Sequence, residues 1–430
     1  MILISLDTLR ADHTSLYGYG RETTPYLEEL AAESVVYEQA YAVAPWTLVT
    51  HMTMLTGLGP RQHGVFKDDR ALSPEVPLLA ERLQARGYQT FGFYFPGWIH
   101  ERHGFGRGFD VFLPHADAEQ AGRNLEQALA KRNPNLPFFL FLHLFDIHSK
   151  GTGKPGGTFY EPPPPYDTFF DPTAPETLRG LPFKRIHDGE GRLTDEQIDA
   201  LIALYDGGIR YVDTKLSEWI EAWRADGLLD DTLLIVTADH GDSLATREGG
   251  IQGHGGMYQE GLHIPLVVRF PEARAGEGHG GWDGDRRAGQ RVSDLVSQTD
   301  LLPTVLDFLG LPRESWLSGY SLLEGRPPDT VLHAERPPQQ ALIQWPWKVV
   351  VGRLEGGGRA YHLEQDPAEL SPLHDLMDTR EEYRELQERL SAAFEAEFAG
   401  RLPIDAEPIP ASTQDPDQAQ ALKDLGYAGY

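Results

Sequence analysis

The chain has 430 residues, 40% of them hydrophobic, and its 38 Lys plus Arg against 65 Asp plus Glu give a formal charge of −27 at pH 7. That length can bury a large core and leaves room for a second, smaller unit. So acidic a surface repels nucleic acid and anionic membranes, which excludes both as expected partners. There is no cysteine, so disulfides and every cysteine-derived nucleophile are excluded, and the compartment cannot be read from redox chemistry. No stretch approaches the roughly 20 apolar residues of a membrane-spanning helix. No leader precedes the first apolar run, so the expected compartment is the cytoplasm, or the periplasm or exterior if the N-terminus has been trimmed.

In chain order, Ile2-Leu3-Ile4-Ser5-Leu6 is an apolar run that reads as a buried parallel strand, and it ends in Asp7. Thr23-Thr24-Pro25 opens a helix with Leu27 and Leu30 on its inner face. A short strand at 35–37 leads to Ala44-Pro45-Trp46-Thr47 and a helix over 48–55 that Gly57 and Pro60 stop. Thr47 therefore stands at or near a helix N-terminus, where N–H groups and the dipole favour an anion. Taken alone, a Thr there is an N-cap. A helix at 78–85 closed by Gly87, a strand at 88–93, a helix at 118–129 and a strand at 138–142 follow, the last running into His143 and on to His148.

From 149 to 192 the chain is rich in Gly, Pro and aromatics, with four consecutive prolines at 162–165. This loop is expected to stay out of the core and to cover a substrate. Residues 195–223 form one long helix or two. They deliver the chain to the run from Leu233 to Ala238, a second buried strand that ends in Asp239-His240-Gly241-Asp242. A strand at 262–270, a Gly- and charge-rich loop at 271–290 and a helix at 299–309 complete this part. Short strands at 331–333, 342–344, 348–351 and 361–363 then precede a charged helix at 380–398 and a polar tail. The fold class is α/β: a large central, mostly parallel sheet flanked by helices over 1–325, a smaller C-terminal antiparallel α+β subdomain over 326–404, and a tail over 405–430.

Ligands in open α/β sheets sit beyond the carboxyl ends of the strands. Two strand ends presenting Asp7, Asp239 and His240 therefore form a candidate divalent-metal site. His51 lies one helical turn beyond Thr47, on the same face, and is placed in the site. Asp12 reads as a turn residue, His143 as structural and Thr50 as a helix-surface hydroxyl. His13, His63, His100 and His103 divide evenly between loop surface and pocket wall.

The run from Asp7 to His13, Thr47 with Thr56-Gly57, the run from Gly104 to Asp110, Thr237-Ala238-Asp239-His240-Gly241-Asp242, and Gly253-His254-Gly255 with Tyr258 and Glu260 together resemble the sulfatase-like branch of the alkaline phosphatase superfamily. The likeness continues through Thr299 to Thr304, Tyr361 to Pro367 and Leu425-Gly426-Tyr427, and so covers nearly the whole chain in order. Any single motif is weak, but the ordered set is strong. The resemblance implies an alkaline phosphatase-like sheet with a smaller C-terminal sheet. It also implies Asp7, Asp239 and His240 as metal ligands, and Thr47 as a nucleophile that touches the metal. His148 and His254 match residues that hold non-bridging oxygens or assist the leaving group.

The departures from that pattern are informative. A sulfatase oxidises a Cys, or in some a Ser, to formylglycine at the position of Thr47, and Thr is no substrate for that maturation. His51 replaces the motif's Arg, Phe95 and His254 fall on its two Lys, and His240 stands where Asn is common. Together these swaps resemble members that act on phosphate esters with Thr and a His-rich pocket. Among those, headgroup transferases are disfavoured by the lack of an anchor.

The expected function is metal-dependent hydrolysis of phosphate esters (phosphodiester, phosphonate or monoester) through a covalent phosphothreonine at Thr47. His148, His254 and His51 assist. One divalent cation (Zn, Mn or Ca) is expected, with a second between His148 and His254 as the lesser alternative. A diester is favoured over a dianionic monoester because the site lacks the Arg and Lys a dianion would need. The alternatives are a sulfuric-ester hydrolase working without formylglycine and a non-catalytic binding protein on this fold. The expected partner is a small anionic ester, and a homo-oligomer is left open.

Overall fold

Strand β1 (Ile2–Leu6) is buried along its whole length in the computed structural model, as an apolar run covered on both faces must be. The structure describes residues 1–149, 158–182, 191–245, 256–271, 288–327, 329–352, 358–373, 385–386, 388–392 and 406–409. The other strands in chain order are β2 (Val35–Tyr41), β3 (Arg70–Ala71), β4 (Gln89–Tyr94), β5 (Val111–Pro114), β6 (Phe138–Leu144), β7 (Leu234–Ala238), β8 (Leu266–Arg269), β9 (Gln290–Ser297), β10 (Leu332–Arg336), β11 (Gln339–Gln344), β12 (Trp347–Val351), β13 (Arg359–His362) and β14 (Glu407–Pro408).

Eight of them form one sheet in the order β5-β4-β6-β1-β7-β8-β2-β9. All its pairings are parallel except the two that β8 makes with β7 and β2. Four form a second, antiparallel sheet, β10-β11-β12-β13. The expected fold class is therefore the observed one: a large, mostly parallel sheet with helices, and a small antiparallel sheet after it. No helix among the described residues is long and apolar enough to cross a membrane.

Register fixes what meets at the carboxyl edge. Leu6 pairs with Leu144 on one side of β1 and with Ala238 on the other. Asp7 and Asp239, one residue beyond those pairs, must then lie side by side. Strand β2 runs antiparallel to β8, and β8 antiparallel to β7, so β2 ends at the same edge as β1. The chain leaves β2 there and enters the helix Thr47–Thr56, which brings Thr47 to the two aspartates. Gln298 fastens this junction. Its Oε1 accepts from the Val43 N–H at 3.1 Å, and its Nε2 donates to the carbonyls of Ala238 and Asp239 at 3.1 and 2.6 Å.

Several boundaries differ from the sequence reading. The helix before β7 is a single one, Asp195–Ala225. The strand expected over 262–270 is only β8, preceded by a helical turn at Gln259–Leu262. Strands β5 and β9 were not anticipated. The expectation that 149–192 stays out of the core is wrong for its described part, since Phe159, Tyr160, Ala174 and Leu178 belong to the main hydrophobic cluster. The cause lies in the long helix. At Gly207 a Cβ would stand 2.2 Å from the Tyr166 carbonyl oxygen, so the absence of a side chain lets the loop backbone dock there. The helix expected at 380–398 and the tail from 405 fall largely outside the described residues; within them, Glu407–Pro408 pairs with β3.

Candidate metal and nucleophile site

Asp7 ends β1 and is fully buried. Its Oδ2 accepts from His143 Nε2 at 2.9 Å, while Oδ1 has no hydrogen-bond partner among the described residues. The next residue, Thr8, takes the left-handed conformation at φ 57°, uncommon for a β-branched side chain. Two bonds hold it there: its N–H donates to Asp239 Oδ1 at 3.0 Å, and its carbonyl accepts from the Tyr205 hydroxyl at 2.7 Å. Asp239 Oδ1 also accepts from the His240 N–H at 2.7 Å, and its Oδ2 is left without a partner among the described residues.

His240 Nδ1 donates to the Gly241 carbonyl at 2.8 Å, which sets the ring's orientation and turns Nε2 toward Thr47 and Asp239. That Nε2 lies 3.2 Å from Thr47 Oγ1 and 3.4 Å from Asp239 Oδ2. Asp7, Asp239 and His240 thus offer one ligand atom each within 4.8 Å of one another, all buried. Two buried carboxylates with open oxygens and, among the described residues, no Lys or Arg partner are costly unless a cation joins them. Two carboxylate oxygens, an imidazole nitrogen and a hydroxyl therefore fit a divalent metal ion. Burial, and then the neighbouring Asp239, raise Asp7 well above the usual carboxylate range. Burial would raise Asp239 too, but the His240, His51 and His143 imidazoles and the Thr8 N–H bring it below that range.

Thr47 is the first residue of its helix, and Trp46 at the N-cap makes no side-chain cap bond. His51 joins the group from the next turn: Nδ1 donates to the Thr47 carbonyl at 2.8 Å, and Nε2 lies 2.9 Å from Ser5 Oγ. Both its nitrogens are committed, so His51 braces the helix that Thr47 begins against β1. Burial pushes its pKa down to about 3 and that of His143 to about 4. His148 is buried and stacks on Phe145, whose other face stacks on Phe95 (4.0 Å between centroids in each pair). Phe145 also meets the His143 ring edge-on at 6.4 Å. His254 lies outside the described residues, and with it the second metal position expected between His148 and His254.

Other readings are corrected. His143 is a direct partner of Asp7. Asp12 accepts both Nε and Nη2 of Arg10, at 2.9 and 2.7 Å. His13 pairs with Asp206 at 2.8 Å, His63 Nδ1 accepts from the Val65 N–H at 3.1 Å, His100 Nδ1 accepts from the Arg102 N–H at 3.1 Å, and His103 Nδ1 donates to the Arg70 carbonyl at 2.7 Å. His63, His100 and His103 bond to backbone groups, and His13 ties the start of the chain to the long helix.

Gly241 has no room for a side chain. A Cβ there would lie 2.0 Å from the Glu260 carbonyl oxygen, and its N–H donates to the Gly261 carbonyl at 3.0 Å. Gly241→Ala should force the turn that carries Asp239 and His240 to shift and cost about 1–3 kcal/mol, as overpacking does. Urea unfolding checks this, and an unchanged midpoint would show that the turn yields freely.

Comparison with known proteins agrees with this architecture. The sulfatase family model matches residues 1–311. Arylsulfatase K of Canis lupus familiaris is 23% identical over 370 residues, covering 75% of this chain but only 65% of that protein. An arylsulfatase of Clostridium perfringens is 22% identical over 479 aligned residues, covering 93% of this chain and 94% of its own length. Among solved structures, the phosphonate monoester hydrolase of Agrobacterium radiobacter superposes with a TM-score of 0.69 at 20% identity, over 92% of this chain and 95% of that one. A phosphonate monoester hydrolase from Silicibacter pomeroyi gives 0.71 at 19% identity, over 94% and 98%. The structural likenesses establish a shared fold, and the family match over most of the chain decides the rest: this protein belongs to the sulfatase family.

Proposed function

We propose that this protein is a metal-dependent hydrolase of singly charged phosphorus esters, phosphodiesters or phosphonate monoesters, acting through Thr47. The observation that carries the reading is Thr47 Oγ1 at the start of its helix, 3.2 Å from His240 Nε2 and beside the open oxygens of Asp7 and Asp239. A divalent cation held by Asp7, Asp239, His240 and Thr47 would neutralise charge on the substrate oxygens and lower the pKa of the Thr47 hydroxyl.

The chain's own residues do the rest. The Thr47 hydroxyl gives its proton to solvent water, Oγ1 attacks phosphorus, and the bond to the opposite alcohol oxygen breaks. N–H groups of the helix start favour the negative equatorial oxygens. His148, whose Nδ1 donates to the Ser149 carbonyl at 2.6 Å, is assigned the proton exchange. It protonates the departing oxygen and then takes a proton from the water that releases Thr47. His254 shares this role or holds a non-bridging oxygen.

Charge selects the substrate class. His51 and His143 are neutral at pH 7, and Arg10 is committed to Asp12 and to the Asp242 carbonyl. Two carboxylates and one divalent cation sum to zero, so a monoanion leaves one uncompensated negative charge and a dianionic monoester two, and among the described residues none of His51, His143 and Arg10 offsets the second.

A second reading, sulfuric-ester hydrolysis without formylglycine, draws on the arylsulfatase names of the relatives, and a sulfate monoester is also a monoanion. Matched p-nitrophenyl phosphate, phosphodiester, phosphonate and sulfate decide between them. Turnover of the diester or phosphonate at least about tenfold above the monoester and the sulfate is expected. Turnover confined to the sulfate would establish the second reading instead.

A further inference from the structure

Asp7 and Asp239 are each tied at one oxygen and open at the other. His143 Nε2 donates to Asp7 Oδ2 at 2.9 Å, and the backbone N–H groups of Thr8 and His240 donate to Asp239 Oδ1 at 3.0 and 2.7 Å. Asp7 Oδ1 and Asp239 Oδ2 are the buried atoms left without a partner among the described residues. Both carboxylates are therefore prepared as one-oxygen ligands.

His143 is itself held firmly. It lies on β6 in register with Ser5, its carbonyl accepts from His115 Nε2 at 2.8 Å, and its ring meets His51 edge-on at 4.7 Å between centroids. The backbone pairing and the His51 ring keep the imidazole against Asp7, although its Nδ1 has no partner among the described residues.

Calcium takes six to eight oxygens and uses carboxylates in both modes. Two single carboxylate oxygens, one imidazole nitrogen and one hydroxyl instead match the smaller, borderline cations of the zinc and manganese class. We propose that His143 is a positioning residue: it fixes Asp7 as a one-oxygen ligand and thereby gives the site its preference for a zinc- or manganese-class cation over calcium. This rests on the metal site proposed above. Its test reads metal binding, so loss of ester hydrolysis with the cation preference intact would count against the hydrolase reading and not against this one.

The experiment is calorimetric titration of the metal-stripped full chain with Zn²⁺, Mn²⁺ and Ca²⁺ separately, for the parent, His143→Phe and His143→Gln. The parent should bind Zn²⁺ at least about tenfold tighter than Ca²⁺. His143→Phe should lose about 10–100-fold in Zn²⁺ and Mn²⁺ affinity, the usual effect of removing an outer partner of a ligand, and lose less for Ca²⁺. His143→Gln keeps an N–H donor and should recover most of the loss. Calcium parity in the parent overturns the proposal, as does a Phe variant that titrates like the parent or a Gln variant no better than Phe. If the Phe variant does not fold, the parent's Zn²⁺ to Ca²⁺ ratio and its persistence in the Gln variant decide the matter.

Discussion

Thr47→Ala should abolish turnover, by a factor on the order of 10³ or more, as removal of a covalent nucleophile does. The fold should survive. The Thr47 hydroxyl makes its contacts inside the site, to His240 Nε2 at 3.2 Å and to the Asp7 carboxyl, while its backbone carbonyl, which holds His51 Nδ1 at 2.8 Å, is untouched by the change. Thr47→Ser keeps the oxygen at the head of the same helix and should retain activity within about tenfold. Initial rates on the preferred ester, with thermal unfolding as the check on folding, carry the test. An alanine variant within tenfold of the parent would remove Thr47 from the chemistry.

The second large effect is on stability against acid. His63, His103 and His333 are buried away from the carboxylate pair, and burial pushes each down to about 3. For His333 the Arg61 charge adds to the effect, and for His103 the bond to the Arg70 carbonyl offsets part of it. In the unfolded chain a histidine titrates near 6.5. Below that pH the unfolded state binds protons that the folded state refuses, so the stability is complete above about 6.5 and is lost as pH falls toward 3. At pH 5 each group costs about 2 kcal/mol and the three together about 6 kcal/mol, partly offset by Asp213, whose carboxyl burial raises to about 7 so that it gains a proton on folding over the same range. The metal-free protein should therefore show a steep fall in unfolding midpoint between pH 6.5 and 5. A flat profile across that range, followed by circular dichroism, would mean that these imidazoles accept protons in place.

Much of this could be read from the chain before any coordinates. The strands that carry Asp7 and Asp239 are continuous apolar runs, the pattern of parallel strands covered on both faces. Each stops abruptly at its acidic residue, so the placement of Asp7 and Asp239 at the carboxyl edge followed from local sequence. Thr47 was placed for a similar reason, between Pro45 and a helical run. What failed depended on partners distant in sequence. Strand β9 is an edge strand of alternating exposure, Gln290-Arg291-Val292-Ser293-Asp294-Leu295, and its polarity hid it. The loop that carries Tyr160 enters the core because Gly207 of a remote helix makes room for it.

The role of His143 was lost by two residues. With β6 ended at 142, His143 looked like the start of a loop; in the structure β6 runs to Leu144, and His143 pairs across to Ser5 and reaches Asp7. A histidine inside a run of Phe and Leu has a buried polar ring to satisfy, and that was the signal available in the sequence.

The central claim is a covalent threonine intermediate, and the stereochemical course at phosphorus tests it most directly. A chiral phosphorothioate diester hydrolysed in isotopically labelled water should give product with retained configuration, because Thr47 and then water each invert the centre. Net inversion would mean that water attacks the ester directly, and would contradict the account.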